Sequence, residues 1–271
     1  MRIRHAYAIR DRIKLILLLI LLMIVMGKLV KVVDENRANV RTATIEKFLK
    51  TALEPVGSTM YIWGGGWNSA DCEAGESSTR FGLSSQWEKF AQMQNENYDF
   101  NEHRYERENG LDCSGFVGWT LYNTFEKEEG QGGYVTLSTD MAKRMAERGW
   151  GKLIKNPKEF LPGDIISMEG HVWICLGSCE DGSVLLVHSS PPGVSVCGTA
   201  SQEESEAVRL ATTFMTNCHP KWQEKYPNRE VSKAYLENVV LFRWSKSVMK
   251  DAKEMQEKSA EEIMRILSPD M

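Results

Sequence analysis

The hydrophobic period of this 271-residue chain changes at Phe160, and that change constrains its fold more than any other feature. Upstream, apolar residues recur at helical spacing. Ile45, Phe48, Leu49, Ala52 and Leu53 share one face of a helix predicted over residues 42–53, closed by Pro55 and Gly57. Phe116, Val117, Trp119, Leu121 and Tyr122 predict another over residues 113–125. Ser138 or Thr139 can cap a third through Glu147, whose thin apolar face (Met141, Ala142, Met145) predicts a surface position. Downstream, Ile165-Ile166, residues 171–176, 183–188, 194–197 and 239–242 read as strands separated by turn residues, with a short helix over 206–214. Helices first and strands afterwards is an α+β pattern, helices packed on an antiparallel sheet. Met249, Ala252, Met255, Ile263 and Ile266 predict one amphipathic helix in residues 245–271.

Two segments stand apart. Residues 68–109 are polar, with one helix predicted where Ser85 and Glu88 have capping-box spacing ahead of Phe90 and Met93. That is long for a plain loop, and both a surface excursion and a lid over a site fit it. At the N-terminus, Arg2, Arg4, Arg10, Arg12 and Lys14 precede an apolar run from Leu15 to Gly27 that continues through Leu29 and Val30. A membrane span needs about 20 apolar residues, a length reached when Lys28 and Lys31 snorkel. The reading is a cytoplasmic basic tail (1–14), a transmembrane signal-anchor (15–33) and a linker (34–41), with everything after it outside. A cleaved signal peptide and an interfacial helix are the competing readings, and no small-residue cleavage pattern follows Met26. A net charge of -4 with interspersed signs gives no reason to expect a nucleic-acid partner.

Asp112-Cys113-Ser114-Gly115 puts a cysteine at the start of a predicted helix, where unpaired N–H groups and the dipole favour a thiolate. A cysteine nucleophile needs an imidazole and a group to orient it. Of the five histidines, His171 and His188 belong to one apparent hairpin; His5, His103 and His219 lie in the basic tail, the insertion and a polar stretch. Hairpin register decides whether the two can meet. A tight turn at Asp181-Gly182 would set them four residues apart, about 13 Å at strand rise, whereas a wider loop or a bulge brings them together. Cys175 and Cys179 lack metal-ligand spacing, and no metal or organic cofactor is expected.

Tyr61-Ile62-Trp63-Gly64-Gly65, Asp112-Cys113-Ser114-Gly115-Phe116, Pro162-Gly163-Asp164, Gly170-His171-Val172-Trp173-Ile174 and Val187-His188-Ser189 occur in the order of the motifs of NlpC-type cell-wall cysteine peptidases, which the chain resembles over residues 42–244. The resemblance implies a papain-like α+β domain, carrying the 68–109 insertion. It also implies hydrolysis of peptidoglycan stem peptides, commonly after D-γ-glutamyl and next to a diamino acid. Cys113 then resembles the nucleophile, His171 the base, His188 the residue orienting it, Tyr61 the tyrosine of the oxyanion site, and Asp112 and Ser114 substrate-contacting positions. The expected partners are peptidoglycan and, through the N-terminal helix, the membrane. An N-acetylmuramoyl-L-alanine amidase with the same chemistry and a non-catalytic wall-binding or scaffold domain are the alternatives.

Overall fold

The computed structural model describes residues 43–128, 130, 132–201 and 204–268. The predicted tail, span and linker lie outside them. Among the described residues no helix is long and apolar enough to cross a membrane.

Those residues form an α+β fold with seven α-helices and a nine-stranded sheet. In chain order come α1 (Ile45–Leu53), β1 (Met60–Tyr61), α2 (Ser85–Met93), β2 (Gly110–Leu111), α3 (Cys113–Phe125) and α4 (Met141–Glu147). Then follow β3 (Gly151–Lys155), β4 (Ile165–Met168), β5 (His171–Ser178), β6 (Val184–Ser190) and β7 (Gly193–Thr199). The chain closes with α5 (Glu206–Cys218), α6 (Pro220–Lys225), β8 (Glu230–Val231), β9 (Val240–Trp244) and α7 (Ala260–Leu267). Strand order is β2-β1-β7-β6-β5-β4-β9-β3, with β8 beside β7. The sheet is mixed rather than antiparallel throughout, because β1–β2 and β7–β8 pair in parallel.

Side chains alternate across each strand, so the register sorts the two faces. Val172, Ile174, Val187, Val196 and Phe242 share the face that the helices cover. On it, Phe48 of α1 and Phe125 of α3 pack their rings on Trp244 at 5.5 and 5.6 Å. The Ala142 N–H of α4 donates to Ser167 Oγ at 3.1 Å. At Gly198 a Cβ would lie 2.2 Å from the Val208 nitrogen, so glycine lets α5 rest on β7. The opposite face gathers Ile166, Trp173, Cys175, Leu186, Cys197 and Leu241 with Phe160 into a second apolar cluster. Irregular chain from the 231–239 region covers it, Tyr235 and Leu236 included.

Three expectations are corrected. The third predicted helix is not superficial: Met141, Ala142 and Met145 are all buried against β3, β4 and β9. The C-terminal segment is not one helix. Residues 247–259 form a looped connection in which the Asp251 carboxylate accepts the N–H groups of Met255 and Gln256, and Glu254 takes a left-handed conformation. Ser259 and Glu262 then build a reciprocal capping box that starts α7 afresh. Finally, β3 was not foreseen. It is an edge strand on β9 whose half-exposed Gly-Lys-Leu-Ile-Lys lacks the pattern of a buried strand.

Candidate active site

Cys113 is the first residue of α3, and its surroundings are built by close backbone packing. The Asp112 side chain caps the helix, accepting the Gly115 N–H at 2.7 Å and the Ser114 hydroxyl at 2.8 Å. The Asp112 N–H donates to Gly65 O at 3.0 Å, and the carboxylate also receives the Gly64 N–H. Gly115 is the residue that permits this approach, since a Cβ there would stand 2.0 Å from Gly65 O. The Tyr-x-Trp-Gly-Gly segment and the Asp-Cys-Ser-Gly turn thus form one interlocked unit. Ser114 accepts the Trp67 indole N–H at 3.1 Å. Asp112 and Ser114 are therefore buried and spend their polar atoms inside the fold, which gives both a positional role in the described structure.

The hairpin settles the register question in favour of a wide loop and a bulge. Ser178 pairs with Val184 and Gly177 with Leu185, leaving residues 179–183 as the loop. The register then shifts by one between Cys175 and Gly177, so Ile174 pairs with Val187. That single shift decides the site. Without it His188 would stand level with Ile174, on the opposite face from His171. With it, His188 is level with Trp173 and shares a face with His171. Their rings meet: His171 Nε2 lies 3.0 Å from His188 Nδ1.

Pairing of β5 with β6 ends at Ile174 and Val187, although β5 runs on to His171 and β6 to Ser190. The strands splay there. The splay leaves the Val172 N–H directed at the Cys113 sulfur, together with the N–H groups of Ser114 and Cys113 itself. Ser189, on the face opposite His188, donates to Leu111 O at 2.7 Å and ties the lead-in to Cys113 onto β6. No Cys113–His171 hydrogen bond forms among the described residues; the sulfur instead meets the backbone of the residue that follows His171.

Burial decides the protonation states. It pushes the Cys113 thiol up to about 12, with the Asp112 charge adding to the effect, and it lowers His171 to about 4. His188 falls well below its ordinary value through burial, then through the positive charges of His171 and Arg229. Burial thus acts against the thiolate expected at the helix start. A helix dipole supplies up to about 2 kcal/mol, less than desolvating a thiolate that is 6% exposed. Cys113 is a free cysteine, and burial disfavours the charged forms of its thiol and of both imidazoles. Alkylation of Cys113 by iodoacetamide is therefore expected to accelerate about tenfold per pH unit between pH 7 and 10, as the thiolate fraction grows. A rate already on a plateau at pH 6 would mean a preformed thiolate–imidazolium pair instead.

Tyr61 is buried, feels the Cys113 charge, and has its hydroxyl pKa raised mainly by burial. The 68–109 insertion folds back onto its strand. Tyr98 Oη donates to Tyr61 O at 2.7 Å, the Tyr105 N–H donates to Trp63 O at 2.8 Å, and the Phe100 ring stands edge-on to Tyr61 at 5.4 Å. Trp87 of α2 packs on Trp119 of α3, anchoring the insertion to the helix that Cys113 opens.

One residue of the site escaped the sequence reading. Tyr235 stands edge-on to His171 at 5.5 Å and to His188 at 5.9 Å, and it too feels the Cys113 charge. Its polar neighbourhood in the chain carries no motif. The group best spaced for a cation among the described residues, Cys179, Asp181 and Glu206, sits at the loop end of the hairpin, away from the histidines. There Asp181 already accepts from Ser183 and from the Glu206 N–H.

No family model, curated protein or solved structure is matched by the chain.

Proposed function

We propose that this chain is a membrane-anchored, extracytoplasmic cysteine endopeptidase of the NlpC type, with a papain-like domain that cleaves peptidoglycan stem peptides at a D-γ-glutamyl–diamino acid bond. The observation that carries the reading is the 3.0 Å contact between His171 and His188, held beside a cysteine at a helix start. The ordered motifs and the basic-then-apolar N-terminus supply the substrate class and the location.

The chemistry follows from the geometry. His171 Nε2 is engaged by His188, so Nδ1 is the nitrogen available to Cys113. In the tautomer that leaves Nδ1 basic, His171 Nε2–H donates to His188 Nδ1, which requires His188 to stay neutral, as its burial and Arg229 favour. Sulfur attacks the amide carbonyl as its proton passes to His171 Nδ1. The developing oxyanion meets the Cys113 N–H at the helix start, helped by the Tyr61 hydroxyl. His171 then protonates the leaving amine, and afterwards takes a proton from the water that releases the acyl group.

Muropeptides incubated with the full-length protein in detergent, under reducing conditions, test the reading. Product masses showing a stem shortened at the γ-glutamyl bond are the expected result. A free glycan with an intact stem would make it an amidase, and unchanged muropeptides across several wall chemistries would leave a binding or scaffold role.

A further inference from the structure

Beside His188 lies a cleft of about 490 Å³ whose wall includes His188 and Tyr235 and, from the end of α6, Lys225. Its lining also includes Arg229 and Ser195. Ser195 pairs with His188 in the β6–β7 register, so its side chain shares that face. Arg229 immediately precedes β8, which pairs alongside β7, and its charge acts on Cys197 of that strand and on His188; it is 3% exposed.

Arg229 is a buried cation without a counter-charge. Nη2 donates to Tyr226 O, but Nε and Nη1 have no partner, and Ser195 Oγ has none either. Among the described residues no carboxylate lies within ion-pair distance of Arg229. The acidic residues at this cleft, Glu96 and Glu230, are exposed. Buried charges are ordinarily paired, and leaving one unpaired is expensive. The other buried guanidinium contact in this fold obeys that rule, since Arg243 grips the fully buried Asp164. A cation, an unpartnered hydroxyl and a cleft coinciding next to His188 describe half of an ion pair whose other half arrives with a ligand.

We propose that Arg229 and Ser195 form a subsite for a carboxylate of the substrate, in the cleft beside His188 and Tyr235. This rests on the peptidase reading and narrows it. The preferred stem peptides carry a free carboxylate next to the cleaved bond, and those with that group converted to a carboxamide are disfavoured. A guanidinium answers a carboxylate with charge-assisted hydrogen bonds, whereas a carboxamide presents a neutral oxygen and an N–H₂ that repels the donors.

Two measurements on the full-length protein test this. In the first, paired stem peptides differ only in carboxylate versus carboxamide at the γ-linked glutamyl residue. A hydrogen bond to a charged group corresponds to a preference for the acid of about 10- to 100-fold in kcat/KM, chiefly through KM. R229Q is expected to erase the difference between the pair, R229K to restore part of it, and S195A to reduce it. In the second, glutarate and glutaramide are titrated into the Cys113→Ala protein and followed by tryptophan fluorescence. Glutarate is expected to bind, glutaramide not, and R229Q to abolish the signal at an unchanged melting temperature. If R229Q unfolds, S195A and R229K carry the comparison, and equal glutarate affinity in both would overturn the proposal. Stem-peptide cleavage that is indifferent to the carboxylate in wild type overturns the subsite and keeps the peptidase. Arg229-dependent glutarate binding in a protein that cleaves no muropeptide keeps the subsite and overturns the peptidase.

Discussion

Cys113→Ala and His171→Ala are each expected to lower muropeptide hydrolysis by about three orders of magnitude or more while the protein stays folded. Removing the sulfur removes the atom that forms the acyl bond, and removing the imidazole strands a thiol whose pKa is pushed up to about 12. His188→Ala is expected to lose less, about 10²-fold, because it orients His171 without touching the reacting atoms. His188→Asn or Gln, whose side-chain oxygen can accept from His171 Nε2, should recover part of that loss. Rates of product release by mass spectrometry, with circular dichroism on each variant, measure the series. A His188→Ala enzyme as fast as wild type would remove the third member from the site.

The second large effect concerns stability. Arg243→Leu is expected to destabilise the fold by about 3–5 kcal/mol in urea titrations, the range for breaking a buried ion pair from one side. Asp164 is fully buried, and Arg243 reaches its two oxygens at 2.8 and 3.0 Å while also holding Glu159 at 2.7 Å. Burial pushes Asp164 up to about 6 against the pull of Arg243. Because its folded pKa lies above the unfolded value, this carboxyl favours the folded state most at low pH, and that advantage fades as pH rises through about 6. The variant lacks the guanidinium that tolerates the ionised form, so its deficit should widen above pH 6 and narrow below it. Asp164→Asn combined with Arg243→Leu should recover much of the loss, since the uncompensated charge is then gone.

What the sequence made legible was whatever local physics decides. The helix at Cys113 is announced by the apolar run that follows it, and α3 begins and ends where that pattern does. Strands β4, β5, β6, β7 and β9 were legible because buried strands require continuous apolar runs, which the two-residue β8 among them lacks. The motif residues were legible because a thiol and an imidazole are needed whatever the scaffold. What stayed hidden was set by distance. Asp251 breaks the C-terminal helix through side-chain capping and Glu254 through a left-handed backbone, and an apolar period reveals neither. Tyr235 and Arg229 owe their positions to β8 lying against β7, a parallel contact between segments some 30 residues apart in chain order. The hairpin register hung on a shift at Leu176, whose sequence signal is limited to the glycine after it. Gly177 has φ of +144° and packs so closely on α7 that a Cβ would lie 2.8 Å from the Ala260 backbone.

That shift leaves the hairpin tolerant of small insertions and deletions during its descent. Residues gained or lost in the 179–183 loop leave every pair from Ser178–Val184 inward in place, so lineages can vary the loop and keep the two histidines together. A codon lost at Leu176 takes away only the residue that the bulge already sets aside: Gly177–Leu185 and Cys175–Leu186 become consecutive pairs, and His171 and His188 stay on one side of the sheet. What turns them apart is pairing Leu176 itself with Leu186, which moves His188 level with Ile174. A change that straightens the bulge at unchanged length would therefore be invisible to any inspection of the motif residues, all of which would still be present.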